Sequence, residues 1–139
     1  MIQQGLTTSF KQQILLGQHD LDTDSLYIAL YTALASLGPD TTEYSVATPG
    51  QITGTGYTAG GILLTNVSVN VSGLIAYVNF DNPEWDPGAF TARGALIYNS
   101  SKSNKSIAVL DFGSDKTSNN TFTITLPANT ASSALIRIT

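Results

Sequence analysis

The chain has 139 residues, a length that fits one domain, and only 12% of them are charged. The formal net charge is -4 and only six residues are Lys or Arg, so the sequence lacks the basic surface that neutralises nucleic-acid phosphates, and no nucleic acid is expected as a partner. Cysteine is absent, which excludes a disulfide framework, a thiolate nucleophile and any zinc site that needs thiolates.

The two ends of the chain and its apolar runs predict neither export nor a membrane span. The first residues, MIQQGLTTSFKQQILLGQ, lack the basic head and the apolar run of about 7–15 residues that a signal peptide has. No apolar run approaches the ~20 residues that cross a bilayer. We therefore expect a single domain over residues 1–139, without a membrane partner. Within it, residues 1–6 are expected to form a flexible N-terminal arm.

One short helix is predicted near the N-terminus. Leu6, Phe10 and Ile14 recur at helical spacing, and one of residues 7–9 (TTS) is suited to cap the first turn. Gly17 then supplies the usual stop. The spacing predicts about three turns of helix.

Strands are predicted from residue 25 onward. Residues 25–32, SLYIALYT, carry apolar side chains on both faces, which is typical of a buried strand. Residues 51–61, QITGTGYTAGG, hold four glycines and indicate a loop. Residues 62–71 end in alternating Val and polar residues, which predicts a half-buried strand, and residues 74–80 form the next strand.

The last third of the chain completes the β pattern. Residues 82–88, NPEWDPG, hold two prolines and predict a loop. Residues 92–98 and 106–112 flank a polar turn and predict a hairpin, and residues 121–126 and 134–139 predict two more strands. About seven or eight short strands predict a mainly β fold, an antiparallel β-sandwich that is jelly-roll-like or barrel-like, with one short N-terminal helix.

One acidic segment contains the single histidine. His19, Asp20, Asp22 and Asp24 resemble the start of a calcium loop, but Ser25 occupies the sixth position, where that loop needs Gly. We interpret the segment as a polar turn between the helix and the first long strand. No metal site is predicted.

A second acidic segment surrounds the single tryptophan. Glu84 and Asp86 flank Trp85, but they are too close in sequence for a typical catalytic pair, and two prolines bracket them. No G-x-S-x-G motif accompanies the single histidine, and the glycine-rich residues 54–61 have neither dinucleotide nor P-loop spacing. The sequence therefore predicts a protein that is not an enzyme and binds no cofactor.

The order of several motifs carries a family resemblance. GPDTTEY is followed by GTGYTAGG, then by VNFDNPEWDPGAFTARGALIYNSSKSNKSIAVLDFG, and then by FTITLPA. In these motifs the chain resembles a small family of virion proteins of tailed bacteriophages, from about Phe10 to Ile138. The motifs are distinctive as amino-acid sequences and contain no catalytic residues.

The resemblance implies a capsid decoration, or cement, protein. Such proteins commonly sit as trimers on the outer surface of the capsid and tie neighbouring capsomers together. The resemblance thus implies assembly in the host cytoplasm, the major capsid protein as partner, and a homo-oligomer, a trimer. A tail, fibre or baseplate module is the alternative within the virion.

Loops and the N-terminal arm supply the candidate contact residues, because function concentrates on loops over a rigid scaffold. The candidate interface residues are Ile2, Leu6, Tyr57, Trp85 and Phe90. The three aromatic residues also suit a carbohydrate-binding module, in which rings form a platform for sugars. The competing interpretation makes Trp85 an anchor in the core or at a subunit interface.

Overall fold

The computed structural model describes residues 1–139 and is mainly β, with three antiparallel sheets and one short α-helix. In chain order the elements are β1 (Gly5–Leu6), α1 (Thr8–Leu15), β2 (Leu26–Tyr31), β3 (Ile62–Leu63), β4 (Ser68–Ser72), β5 (Ile75–Asn79), β6 (Glu84–Trp85), β7 (Thr91–Asn99), a 3-10 turn (Ser100–Lys102), β8 (Lys105–Thr117), β9 (Phe122–Thr123) and β10 (Arg137–Ile138). The sheets have the strand orders β1-β8-β7-β2-β3, β10-β5-β4 and β6-β9. The predicted mainly β, sandwich-like antiparallel fold with one N-terminal helix is confirmed, whereas the jelly-roll-like arrangement stays a prediction.

Helix α1 begins after Thr7 and ends before Gly17, as its sequence indicates, but its eight residues make about two turns and not the expected three. The Thr7 side chain accepts a hydrogen bond from Phe10 N at 3.3 Å, which satisfies one free amide of the first turn. At the other end, Gly17 has a φ of +70° and Gln18 N donates to Gln13 O at 2.9 Å. This bond and the one from Gly17 N to Ile14 O, at 3.3 Å, form a Schellman motif, which satisfies carbonyls of the last turn.

Strand β2 lies inside the five-stranded sheet and is buried on both faces. Leu26, Ile28 and Leu30 point into the larger hydrophobic core. The alternate residues Ala29 and Tyr31 point into a second, smaller core on the opposite face. The prediction of a buried strand from SLYIALYT is therefore confirmed.

A long hairpin joins β7 to β8, as the sequence predicts. The polar turn between the strands contains Ser103 and Asn104, which have φ values of 55° and 60°. Strand β8 continues to Thr117, well beyond the predicted end at residue 112. The extension pairs with the start of β7 after a register shift between Ala92 and Gly94.

Each face of the five-stranded sheet has its own cover. Residues 32–61 contain neither a helix nor a strand; Ala35, Leu37 and Tyr44 cover the second face together with Ile2, whereas Ile52 and Tyr57 pack in the larger core on the first face. Helix α1, the sheet β10-β5-β4 and the pair β6-β9 contribute to the larger core on the first face. The five-stranded sheet is thus the middle layer of the domain, and other segments pack on each of its faces.

The last two predicted strands are shorter than expected. Only Phe122–Thr123 and Arg137–Ile138 pair as strands. The side chains nevertheless alternate as in a strand, because Phe122 and Ile124 are buried in the larger core and Thr123 is exposed. These segments pack mainly through their side chains and form only a short ladder of backbone hydrogen bonds.

Candidate functional site

His19 is buried between helix α1 and the end of strand β7. Its Nε2 lies 2.8 Å from Gln13 Oε1, and its Nδ1 lies 3.0 Å from Asn99 Nδ2. Because an amide oxygen accepts and an amide nitrogen donates, the ring carries its hydrogen on Nε2 and accepts at Nδ1. Burial lowers the pKa of His19; Lys105 and Lys102 also lower it, although the charge of Asp24 opposes the shift.

Asn99 connects this histidine to Asp24. Its side-chain amide is fully buried and also donates to Asp24 Oδ2 at 2.7 Å, while its oxygen accepts from Ser101 N at 3.1 Å. Burial alone raises the pKa of Asp24, but the hydrogen bonds from Asn99 and from Asp20 N and the charge of Lys102 together hold it below its usual value. All the hydrogen-bonding groups of Asn99 are therefore used within the fold.

The other two aspartates also bind backbone groups. Asp20 Oδ1 accepts from Asp22 N at 3.2 Å, which closes a tight turn. Asp22 Oδ1 accepts from Val69 N, at the edge of strand β4, at 3.3 Å. The interpretation of residues 19–24 as a polar turn is confirmed, and no group of three or more His, Cys, Asp or Glu side chains is placed to hold a metal ion.

The acidic residues near the tryptophan bind side chains of neighbouring segments. Glu84 Oε2 accepts from Thr123 Oγ1 at 3.3 Å, across the β6-β9 pair. Asp81 Oδ2 accepts from Asn66 Nδ2 at 2.6 Å and from Thr65 Oγ1 at 3.0 Å. These carboxylates join segments that are distant in sequence.

Trp85 lies at the centre of an aromatic cluster inside the larger core. Its ring is 2% exposed and packs edge-to-face against Phe90 and Phe122, with centroids 6.1 Å and 6.0 Å away. Tyr57 packs on both Trp85 and Phe90. Of the predicted contact residues, Trp85 and Phe90 therefore lie in the core and Tyr57 is half-buried, so the aromatic residues form no open platform for a sugar.

The glycine-rich segment is held closely against the domain. Gly61 has a φ of +81°, and a Cβ there would overlap the carbonyl of Ile28 in strand β2. Gly56 has a φ of +86°, and a Cβ there would overlap the carbonyl of Pro87. The absence of a side chain at these positions therefore permits the loop to touch the backbone of two other segments. The prediction of a loop is confirmed, and the glycines of this loop allow it to pack closely against the rest of the domain.

Gln51 organises the polar side of the same loop. Its Oε1 accepts from Tyr57 Oη at 2.9 Å and from Gly60 N at 2.8 Å. The Tyr57 hydroxyl in turn accepts a hydrogen bond from Leu30 N at 2.9 Å. Leu30 lies on β2, beyond the two residues of that strand that pair with β3. Burial raises the pKa of Tyr57 to about 12. No sequence motif marks Gln51, because its partners lie up to nine residues away in an irregular segment.

The N-terminal residues are built into the sheet and do not extend away as an arm. Met1 and Gln3 exchange backbone hydrogen bonds with Leu37, and Gly5–Leu6 pairs with strand β8. Ile2 is buried in the smaller core, and Leu6 packs against the larger one. The two N-terminal contact candidates thus contribute to the interior.

An open apolar cleft of about 790 Å³ lies between helix α1 and the sheet β10-β5-β4. Its floor includes the buried residues Phe10, Val78 and Ile136. Leu6 lines it, whereas the other four predicted contact residues do not. The exposed apolar side chains at its margin are Leu15, Val69 and Ile138, none of which was predicted as a contact. The alternation of valines in residues 67–71 was the sequence signal for this face.

No helix of the structure is both long enough and apolar enough to cross a membrane. Comparison of the chain with protein-family models, with curated proteins and with solved structures finds no match.

Proposed function

We propose that this protein is a non-enzymatic structural protein of a tailed-bacteriophage virion, specifically a capsid decoration protein. In this role it binds the major capsid protein between neighbouring capsomers, on the outer surface of the head, as a homo-oligomer such as a trimer. Its assembly takes place in the host cytoplasm. The order of motifs from GPDTTEY to FTITLPA supports the family, as the resemblance in sequence implies.

One observation about the polar groups carries the non-enzymatic part of the proposal. The side chains that suggested chemistry in the sequence are occupied by hydrogen bonds that hold the fold together. His19 is held between Gln13 and Asn99, and Asp22 binds an edge strand. Apolar side chains, in contrast, are exposed around the cleft. This distribution suits a protein that acts by contact with other proteins.

The architecture suits the same role. The middle sheet is covered on both faces, so the scaffold that presents the outer surface is well supported. The low fraction of charged residues permits many copies to pack closely with little mutual repulsion. These properties serve a head protein and a tail protein equally, so the experiment has to separate the two locations.

Co-sedimentation with cognate capsids tests the proposal. Capsids that lack this protein are incubated with increasing amounts of it, pelleted and quantified, with an unrelated acidic protein of similar mass as the control. We expect saturable binding with a fixed number of copies per capsomer, and density on the outer shell in electron micrographs. Protein that stays in the supernatant at all concentrations, or density confined to the tail, would refute the capsid assignment.

A further inference from the structure

One hydrogen bond joins the end of helix α1 to the middle sheet. We define the 11–20 segment as the residues from the middle of α1 to the start of the polar turn. Its hydrogen bonds have partners within residues 7–24, with one exception. The exception is the bond between His19 Nδ1 and Asn99 Nδ2, at 3.0 Å. Since the segment also forms no salt bridge, this bond is its only polar contact with a distant part of the chain.

Buried apolar residues hold both ends of the segment. Phe10, just before it, and Leu21, just after it, are 3% and 7% exposed and belong to the larger core. Between them, Ile14 is only partly buried against that core and Leu15 is exposed. Loss of the single hydrogen bond would therefore free a stretch of chain with defined ends and leave the β core in place.

The partners of Asn99 fix the direction of each of its hydrogen bonds. The ionised carboxylate of Asp24 can only accept, so the amide nitrogen of Asn99 faces Asp24 Oδ2 at 2.7 Å. Ser101 N can only donate, so the amide oxygen faces it at 3.1 Å. The amide group cannot turn over without opposing two acceptors and two donors. Its nitrogen therefore always faces His19 Nδ1, which must be unprotonated to accept.

A proton on His19 Nδ1 has no acceptor in this network. It places an N–H of the ring against an N–H of Asn99 across 3.0 Å. The hydrogen of Nε2 is already donated to Gln13 Oε1, at 2.8 Å. Asp24 Oδ2 already accepts from Asn99 Nδ2 and from Asp20 N, at 2.7 Å and 2.9 Å. A charged ring with an unsatisfied donor is costly to keep buried, so the protonated ring favours water.

Water lies close to the ring on one side. His19 is 7% exposed and is one of the residues that line the open cleft between α1 and the three-stranded sheet. On another side the ring packs on Phe10, with the ring centroids 5.1 Å apart. An outward movement of the 11–20 segment therefore brings the imidazolium into the water of the cleft.

The charges around the ring do not compensate for its burial. The charge of Asp24 favours the protonated ring, whereas the charges of Lys105 at the start of β8 and Lys102 in the 3-10 turn oppose it. The other charged residues that line the same cleft are Lys11 on α1, Asp20 on the polar turn and Arg137 on β10. Cations are in the majority here, so the surroundings give the imidazolium little stabilisation.

We propose that residues 11–20 form a pH-sensitive switch, which protonation of His19 releases from Asn99 while the β-sheet core stays folded. Release moves the C-terminal half of α1 and the start of the polar turn, and it widens the cleft that they line. The switch operates within a single copy of the chain, so it does not depend on the proposed function.

Two measurements on the full chain test the switch. Proton NMR follows the ring of His19, the only histidine, and gives the pH at which this ring titrates. Hydrogen exchange measured by mass spectrometry, between about pH 7.5 and about pH 4.5 and corrected for the intrinsic exchange rate, reports local opening. Peptides from residues 11–20 and from the β7-β8 hairpin are compared.

We expect the protection of residues 11–20 to fall by up to about tenfold per pH unit below about pH 6.5, because opening takes up one proton. The protection of the β7-β8 hairpin should not change. His19→Gln keeps a side chain that can donate and accept but does not titrate, so it should abolish the pH dependence. A ring that does not titrate, or protection of residues 11–20 that stays constant while it titrates, refutes the inference. Equal loss of protection in the hairpin indicates global unfolding and refutes it as well.

Two lysine substitutions test the same switch without altering the hydrogen bonds of His19. The side chain of Lys102 is 42% exposed and its charge lowers the pKa of His19, whereas the exposed Lys116 has no such effect. At low salt, Lys102→Gln should move both the NMR titration and the onset of exchange to higher pH, and Lys116→Gln should move neither. Equal shifts in the two variants contradict the inference. These surface variants decide the result if His19→Gln does not fold.

Discussion

Two tyrosine hydroxyls, one on the half-buried Tyr57 and one on the fully buried Tyr31, differ in their hydrogen bonding and give a direct test of the structure. The Tyr57 hydroxyl accepts from Leu30 N and donates to Gln51 Oε1, both at 2.9 Å. The Tyr31 hydroxyl is buried and has no hydrogen-bond partner. A Tyr→Phe substitution removes the same atom at each position, so any difference in stability reports the hydrogen bonds.

The two substitutions should differ by about 2 kcal/mol in the free energy of unfolding. Tyr57→Phe leaves the Leu30 amide without its partner, and an unsatisfied buried donor costs about 1–3 kcal/mol. At about 3–5 °C per kcal/mol for a chain of this size, Tm should fall by roughly 6–10 °C. Tyr31→Phe removes a hydroxyl that is buried without a hydrogen-bond partner. The free energy of unfolding should therefore stay nearly the same or rise by up to about 1 kcal/mol.

Urea unfolding followed by the fluorescence of Trp85 measures both values, because this single tryptophan is buried in the larger core. The wild-type protein and both variants should have equal m-values, which shows that the extent of unfolding is unchanged. Equal destabilisation by the two substitutions, or a larger loss for Tyr31→Phe, would show that the hydrogen-bond assignment around Leu30 is wrong.

Three further substitutions, with Gly73→Ala as the control for one of them, test the polar turn and the glycine-rich loop. Burial lowers the pKa of His19, so at acidic pH the unfolded chain binds more protons at this residue than the folded chain does. The free energy of unfolding should therefore fall as pH decreases below about 6.5. His19→Gln should make this fall smaller, as measured by urea titrations at pH 7.5 and 5.5. Asn99→Ala removes hydrogen bonds to three groups, one of them a carboxylate, and should cost about 3–5 kcal/mol by denaturant unfolding; a loss below about 1 kcal/mol contradicts the network. Gly61→Ala should prevent soluble expression because its Cβ overlaps strand β2, whereas Gly73→Ala, where a Cβ meets nothing, should cost only about 1 kcal/mol from its φ of +60°.

Local signals made the helix and the long hairpin predictable. The cap at Thr7, the stop at Gly17 and the apolar spacing between them all lie within one short segment. The β7-β8 hairpin likewise needs only two neighbouring strands and a polar turn. Such features depend on residues close in sequence, where turn and capping chemistry is directly readable.

The polar network could be predicted only in part, because its partners are distant in sequence. Residues 19–24 were recognisable as a polar turn, but the burial of His19 depends on Asn99, which lies 80 residues later. The contact between Asp22 and Val69 spans 47 residues. No local pattern specifies which carboxylate meets which strand, so the fold itself determines these pairs.

The position of the exposed apolar surface follows from how the loops pack. Glycine-rich and proline-containing segments are typical of mobile surface loops, and they suggested contacts at Tyr57, Trp85 and Phe90. In this fold Gly56 and Gly61 let the loop approach other backbone segments, and Tyr57 takes the place of a strand partner at Leu30. Those aromatic rings pack in the core, and exposed apolar side chains instead surround the cleft between α1 and the three-stranded sheet. Under the proposed function, contacts with other proteins should therefore respond to changes on regular elements more than to changes in the glycine-rich loop.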